Sequence, residues 1–171
     1  YSERMALELR LPIVRLVDGT GGGGSVKSLE TTRRTYVPAN PAMEIMTELL
    51  STVPVVAAAL GPVAGLGAAR VVFSHFSVMV KGSSQLFVAG PPIVRRGIGQ
   101  DVDKETLGGS AIHTRLSGAV DNEVDREDEA FAQIRRFLSY LPASVYDLPP
   151  VAECDDPPDR LEPWLDSIIP R

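Results

Sequence analysis

Residues 53–73, VPVVAAALGPVAGLGAARVVF, decide how this chain is read. Val53 to Leu60 is an unbroken apolar run that stops at Gly61-Pro62. A run of strand length bounded by such breakers reads as a strand buried on both faces. The small residues that follow, Ala64-Gly65-Leu66-Gly67-Ala68-Ala69, read as a tight turn opening a helix over about 64–73. Small side chains leave the first-turn N–H groups of such a helix accessible, and N–H groups so placed bind anions and developing oxyanions. The segment therefore predicts chemistry carried by the backbone.

Working outward, Asn40-Pro41 predicts a helix start, Asn as N-cap and Pro as first residue. Met43, Ile45, Met46, Leu49 and Leu50 give that helix an apolar face. Further upstream a helix over 2–10, with Met5, Leu7 and Leu9 together, leads into a strand over 11–18. The glycine loop Gly19-Thr20-Gly21-Gly22-Gly23-Gly24 and a polar, irregular stretch over 25–38 follow it. Downstream, Ser77–Val80 and Leu86–Val88 read as strands, and Ala89-Gly90-Pro91-Pro92 turns into a short helix ending near Gly97. Thr106–Ser110 reads as a loop, with a helix near Ala111–Arg115. Asp125–Tyr140 is the clearest helix, acidic at its start, with Phe131, Ile134, Phe137 and Leu138 facing inward. Strands alternating with helices predict parallel pairing through crossover helices at 38–52 and 64–75. After Leu141-Pro142 the chain turns Pro-rich and acidic and is expected to wrap the surface.

The 171 residues carry a net charge of −5 and 44 % hydrophobic content, which fits one soluble domain with a core. No basic cluster points to nucleic acid, and no run of eighteen apolar residues points to a membrane helix. Cys154 is the only cysteine, so no internal disulfide is possible. The chain opens on Tyr1 within a helical pattern, which reads as an internal piece of a longer protein.

Side-chain chemistry finds little support. The glycine run 19–24 lacks the phosphate-loop lysine, because Ser25-Val26 stands where Lys-Ser/Thr is needed and Lys27 comes two residues late. His75 reads as a core or capping residue, and His113 as a residue beside the Gly108-Gly109 turn with a pocket-lining role open to it. No serine lies in Gly-x-Ser-x-Gly, and the carboxylates of 121–129 read as a solvated capping cluster. Metal-ligand spacing is absent. Backbone donors at Gly65-Leu66-Gly67 and at the Gly90 turn remain as candidates, beside the reading that small residues merely let a helix approach a sheet.

Four blocks in order, LPIVRLVDGTGG, VPVVAAALGPVAGLGAA, SQLFVAGPPIV and LGGSAIHTRLSGAVDNEVDREDEA, resemble the carboxyltransferase (β) subunit of biotin-dependent acyl-CoA carboxylases. FVAGPPIV is nearer the methylcrotonyl-CoA type, and RRFLSYLP with the acidic Pro-rich tail nearer the propionyl-CoA type. The resemblance implies an α/β, crotonase-like (ClpP/crotonase) fold of repeated β-β-α units, present here as a partial domain. Residues 1–142 would be an N-terminal carboxyltransferase domain incomplete at its start, and 143–171 an extension toward a missing C-terminal domain. It implies transfer of CO2 from carboxybiotin to the α or γ carbon of a short acyl-CoA, propionyl-CoA first and methylcrotonyl-CoA next. The enolate oxygen would be held by backbone N–H groups of Gly65, Leu66 and Gly67, with no side-chain base. The family's usual text at the turn is Ala-Gly-Gly, from which Leu66 departs. Ala64, Ala68, Gly90, Gly108 and Gly109 would line the substrate site. The implied partners are acyl-CoA, a biotin-carrying α subunit and further β subunits, with no nucleic acid, membrane or metal. The implied place is intracellular, the mitochondrial matrix in a eukaryote or the cytoplasm in a bacterium. A crotonase-fold hydratase or decarboxylase, and a non-catalytic assembly piece, stand as alternatives.

Overall fold

The structure, a computed structural model, describes residues 1–19, 30–31, 33 and 42–168. Helix α1 (Ser2–Leu9) leads to strand β1 (Ile13–Val17); helix α2 (Ala42–Thr52) leads to β2 (Val55–Ala59). Then come β3 (Pro62–Ala64) and α3 (Leu66–Val72), followed by β4 (Phe76–Val80), β5 (Gln85–Phe87) and α4 (Pro91–Ile98). Helix α5 (Lys104–Gly108), a π-helical turn (Ile112–Leu116), β6 (Asn122–Val124) and α6 (Glu127–Ser139) complete the packed part. The expected start at Asn40-Pro41 and the glycine and polar segments over 20–29 lie outside the described residues.

The apolar run gives a strand because both of its faces are covered. β1, β2, β4 and β6 form one parallel sheet in that order. All five residues of β2 are fully buried. Ala57 and Ala59 face a core made with Val63, Val71, Met79, Leu86 and Val120, under α3. Val56 and Ala58 face the other side with Val78, Val80, Val124, Ala130 and Ile134, under α6. A parallel strand covered on both faces has no solvent side and so shows no polar alternation. Each buried Val or Ile there contributes about 1.5–3 kcal/mol. Phe76 and Phe137 stack at 4.9 Å between ring centres and tie α6 to the start of β4.

The β-β-α repeat is visible. β2 lies in the main sheet and β3 leaves it; β4 lies in the main sheet and β5 leaves it; β3 and β5 then pair in parallel as a second sheet, Ala64 opposite Phe87. Both predicted crossovers are present, since β1 pairs β2 and β2 pairs β4 in parallel.

Several expectations change. The helix predicted from residue 64 starts at Leu66, because Pro62–Ala64 is drawn into strand pairing with β5. Thr106–Ser110 is not a loop: α5 spans Lys104–Gly108, capped by the Asp103 carboxylate, which accepts the N–H groups of Glu105 and Thr106 at 2.8 and 2.9 Å. In α1 the buried residue is Ala6, while Met5 and Leu9 are exposed, because only Ala6 and Leu7 meet Leu49 and Val53. The carboxylates of 121–129 are not all solvated. Asp121 accepts from the N–H and hydroxyl of Ser77 at 2.8 and 3.0 Å, and Glu123 sits in β6. Among the described residues of the tail, Tyr146, Leu148, Val151, Leu161 and Trp164 are exposed, so the tail does not wrap the surface.

Candidate oxyanion turn

The turn between β3 and α3 is where the predicted donors fall. Gly65 caps α3 with φ 64° and ψ −127°, a conformation that only glycine adopts without strain. Its own N–H donates to Phe87 O at 2.9 Å and closes the β3–β5 pairing. Gly65 is therefore the hinge of the turn, and its N–H is already used. The carbonyl of Gly65 accepts the N–H of Ala69 at 3.1 Å, the first bond of the helix. The next three N–H groups, of Leu66, Gly67 and Ala68, have no acceptor among the described residues, as expected for a first helical turn, and the first two of them belong to the donors expected from sequence. The three consecutive donors expected from sequence thus reduce to two.

Close packing holds this turn. A Cβ on Gly67 would lie 2.6 Å from Val63 Cγ1, so the helix start presses on the strand that precedes it. The same position lies 3.9 Å from Val17 Cγ1 and 4.0 Å from Gly19 O, so the end of β1 forms a second wall. Ala68 packs into the core beside Val63 and Val71. Leu66 is partly exposed at the rim.

The other predicted site residues gather round β5. Ala64 is opposite Phe87 in the small sheet. Val88 O is 4.0 Å from a Cβ placed on Gly65, and the Val88 side chain is exposed. Gly90 caps α4, with Phe87 Cε2 3.8 Å from its Cβ position. Gly108 lies against the Leu86 carbonyl and the Phe87 ring, and Gly109 lies against Glu105 and bridges to Gln85. Glycine at 108 is thus required by close approach of α5 to β5, and glycine at 109 by the backbone of Glu105 in the preceding turn of α5.

Histidine and carboxylate chemistry does not converge here. His113 Nε2 is 2.8 Å from Leu86 O, and a carbonyl can only accept, so that nitrogen carries the proton and steadies β5. His75 Nδ1 accepts the Val55 N–H at 3.0 Å and His75 N–H donates to Val55 O at 2.7 Å, a structural role. Glu123, with its side chain 11 % exposed, resists ionisation through burial; hydrogen bonds from Ser110 and Arg115 outweigh that and hold its carboxyl below the usual range. It lies by an open recess of about 630 Å³ bordered by Lys81, Glu105, Ser110, Ile112, Arg115 and Leu116. An apolar recess of about 310 Å³ lies between the ends of α2 and α6, lined by Leu50, Val53, His75, Phe137 and Leu141. Neither recess is lined by a residue of the Gly65 turn. Among the described residues no cluster of three metal-ligating side chains exists, and no helix is long and apolar enough to cross a membrane.

Sequence reasoning missed two features. Arg15, in the middle of β1, is a buried cation with partners on two helices; its only signal was a charge inside an apolar strand. The spent N–H of Gly65 had no signal, because it depends on which strand lies beside Ala64.

A parallel sheet of β-β-α repeats, with a glycine hinge presenting two peptide donors after its second strand, defines an α/β domain of the crotonase-like class. Residues 1–171 match the carboxyl transferase domain family, and the chain belongs to that family. It is 40 % identical over 118 residues to the propionyl-CoA carboxylase β chain of human mitochondria, covering 69 % of this chain and 22 % of that one. It is 29 % identical over 168 residues to the methylmalonyl-CoA decarboxylase α subunit of Veillonella parvula, covering 98 % of this chain and 32 % of that one. Transcarboxylase 12S, solved as a hexamer with methylmalonyl-coenzyme A and methylmalonic acid bound, superposes with a TM-score of 0.72 at 24 % identity, over 91 % of this chain and 29 % of that one. The chain spans between a fifth and a third of the length of these relatives.

Proposed function

We propose that this chain is part of the carboxyltransferase component of a biotin-dependent acyl-CoA carboxylase acting on a short acyl-CoA, propionyl-CoA first and methylcrotonyl-CoA next. The observation that supports this reading most directly is the pair of unused N–H groups of Leu66 and Gly67 at a hinge fixed by Gly65, within a chain of the carboxyl transferase family. The name of the human relative favours propionyl-CoA.

In this reading the thioester oxygen of the acyl-CoA accepts from both N–H groups. The C–H bond breaks at the carbon to be carboxylated (α, or γ in an unsaturated acyl group), its electron pair moves toward that oxygen, and the two donors stabilise the negative charge of the enolate or dienolate. A C–C bond to CO2 then forms at the α carbon, or at the γ carbon of an unsaturated acyl group. Carboxybiotin, brought by a biotin-carrying subunit, would supply the CO2 and the acceptor for the proton so released. Peptide donors suit a carbonyl or enolate oxygen and do not by themselves define a site for biotin, so no residue here is assigned to it. One such donor contributes on the order of 3 kcal/mol to the transition state. Gly65 acts as hinge, Ala64 and Ala68 leave room beside the donors, and Gly90, Gly108 and Gly109 keep the β5 wall in place.

The parent subunit, with its domain over residues 1–142 continued beyond 143–171, is assayed with a biotin-carrying subunit, ATP and bicarbonate on propionyl-CoA and methylcrotonyl-CoA. Carboxylation of propionyl-CoA is expected; no carboxylation of any short acyl-CoA refutes the reading. The Veillonella relative favours one second reading, decarboxylation of an α-carboxylated acyl-CoA through the same enolate. CO2 release from methylmalonyl-CoA without net carboxylation is its signature.

A further inference from the structure

Arg15 is the one charged residue of β1, its side chain only 7 % exposed. Its Nη1 donates to Phe73 O at 2.8 Å and to Arg70 O at 3.2 Å, the carbonyls of the last turn and C-cap of α3. Its Nη2 lies 3.1 Å from Glu3 Oε1, and Arg70 Nη2 lies 3.4 Å from Glu3 Oε2, so one carboxylate from α1 is shared by two guanidinium groups. Burial lowers the Arg15 pKa; Glu3 works against that and Arg70 adds to it. A buried cation with this few compensating groups is costly where it serves only stability.

What it grips is the helix of the candidate site. α3 has seven residues, about 10 Å of rise. Its start leans on Val17 and Gly19 at the end of β1, and its end is held by Arg15 from the middle of β1. One strand therefore fixes the helix at both ends. With β3 and β5 fixing Gly65, a slip at the C-terminal end lets the helix shift about the hinge against its core packing at Ala68 and Val71.

We propose that Arg15 is a positioning residue that sets the orientation of the Leu66 and Gly67 N–H groups by clamping the far end of α3. The inference rests on the enolate-holding role given above. An oxyanion donor acts more strongly in the transition state than in the bound thioester, and a misplacement near 1 Å costs about a hundredfold in rate. A loosened clamp therefore lowers kcat and spares KM.

Arg15→Lys and Arg15→Met are tested in the complete subunit with its biotin-carrying partner, per folded active site. The expected result is a fall in kcat of about ten- to a hundredfold with the acyl-CoA KM within about twofold. Hydrogen exchange at Ala69 and Phe73, whose N–H groups bond along α3, is expected to speed up in step. Where Arg15→Met does not fold, Arg15→Lys decides, since it keeps the charge and loses the forked contact. Unchanged kcat in folded Arg15→Lys overturns the proposal, and so does a rise in KM with kcat preserved. If the unaltered subunit carboxylates nothing, the functional reading fails instead; unchanged exchange in α3 then also removes the clamp.

Discussion

Replacing Gly65 by alanine isolates the backbone contribution of the turn. A Cβ at this position meets nothing nearer than Val88 O at 4.0 Å, so steric collision adds nothing. The cost lies in the dihedral angles, φ 64° and ψ −127°, which an L-residue populates at about 1–3 kcal/mol. If the peptide turns to escape that strain, the Gly65 N–H bond to Phe87 O is lost, about 1 kcal/mol, and Leu66 N–H swings with it. The first route costs about 2 kcal/mol and the second about 1 kcal/mol. The route is distinguishable: strain retained spares kcat, whereas a turned peptide removes one donor and lowers kcat by about a hundredfold or more. Urea unfolding of the complete subunit measures the first quantity, and steady-state carboxylation with propionyl-CoA the second. Gly82→Ala is the comparison, because Gly82 has φ 70° and open space round its Cβ position, away from the turn. It is expected to lose similar stability and keep its activity per folded molecule. A Gly65→Ala protein within 0.5 kcal/mol of the parent, with unaltered kcat, would refute the reasoning.

Gly108→Ala places a methyl against the Leu86 carbonyl, with Phe87 Cδ1 at 2.7 Å, and a backbone group cannot rotate away; overpacking of this kind costs about 2–3 kcal/mol, read by urea unfolding. Leu66→Gly keeps both N–H donors and removes the side chain at the rim, so the ratio of kcat/KM for methylcrotonyl-CoA over propionyl-CoA is expected to rise, at about 1 kcal/mol of helix stability; an unchanged ratio shows that the side chain does not border the acyl site. Glu123→Gln tests the buried carboxylate. Hydrogen bonds from Ser110 and Arg115 hold its folded pKa below the ordinary glutamate range, so its contribution is present above that range and is lost as pH falls through the folded pKa. The stability gap between parent and Glu123→Gln is therefore expected to be widest near neutrality and to close as acid protonates the folded carboxyl, and a gap that widens in acid contradicts the assignment.

The sequence shows some of this fold and hides the rest for identifiable reasons. β2 is legible because each of its faces meets a separate core. β3 is hidden because three residues beginning with Pro62 look like part of a turn, and the proline is tolerated only in a two-stranded sheet where its missing N–H is not needed. β6 is hidden because Asn122-Glu123-Val124 is an edge strand with one buried residue. α5 had a signal, Asp103 two residues before Glu105 and three before Thr106, but Gly108-Gly109 drew the reading toward a loop. At the site, small residues reveal where a helix start lies bare. They do not reveal which N–H is already taken, since that depends on Phe87, more than twenty residues away. Nor does an arginine in a strand reveal that it holds a helix from behind.

The central claim is that Leu66 and Gly67 hold the acyl oxygen through their peptide N–H groups. A crystal structure of the complete subunit with propionyl-CoA, or with a stable enolate mimic, tests it most directly. The account predicts the thioester or enolate oxygen about 2.7–3.1 Å from both nitrogens, with Gly65 N–H still bonded to Phe87 O. An acyl oxygen bound elsewhere, with those two N–H groups facing solvent, contradicts it.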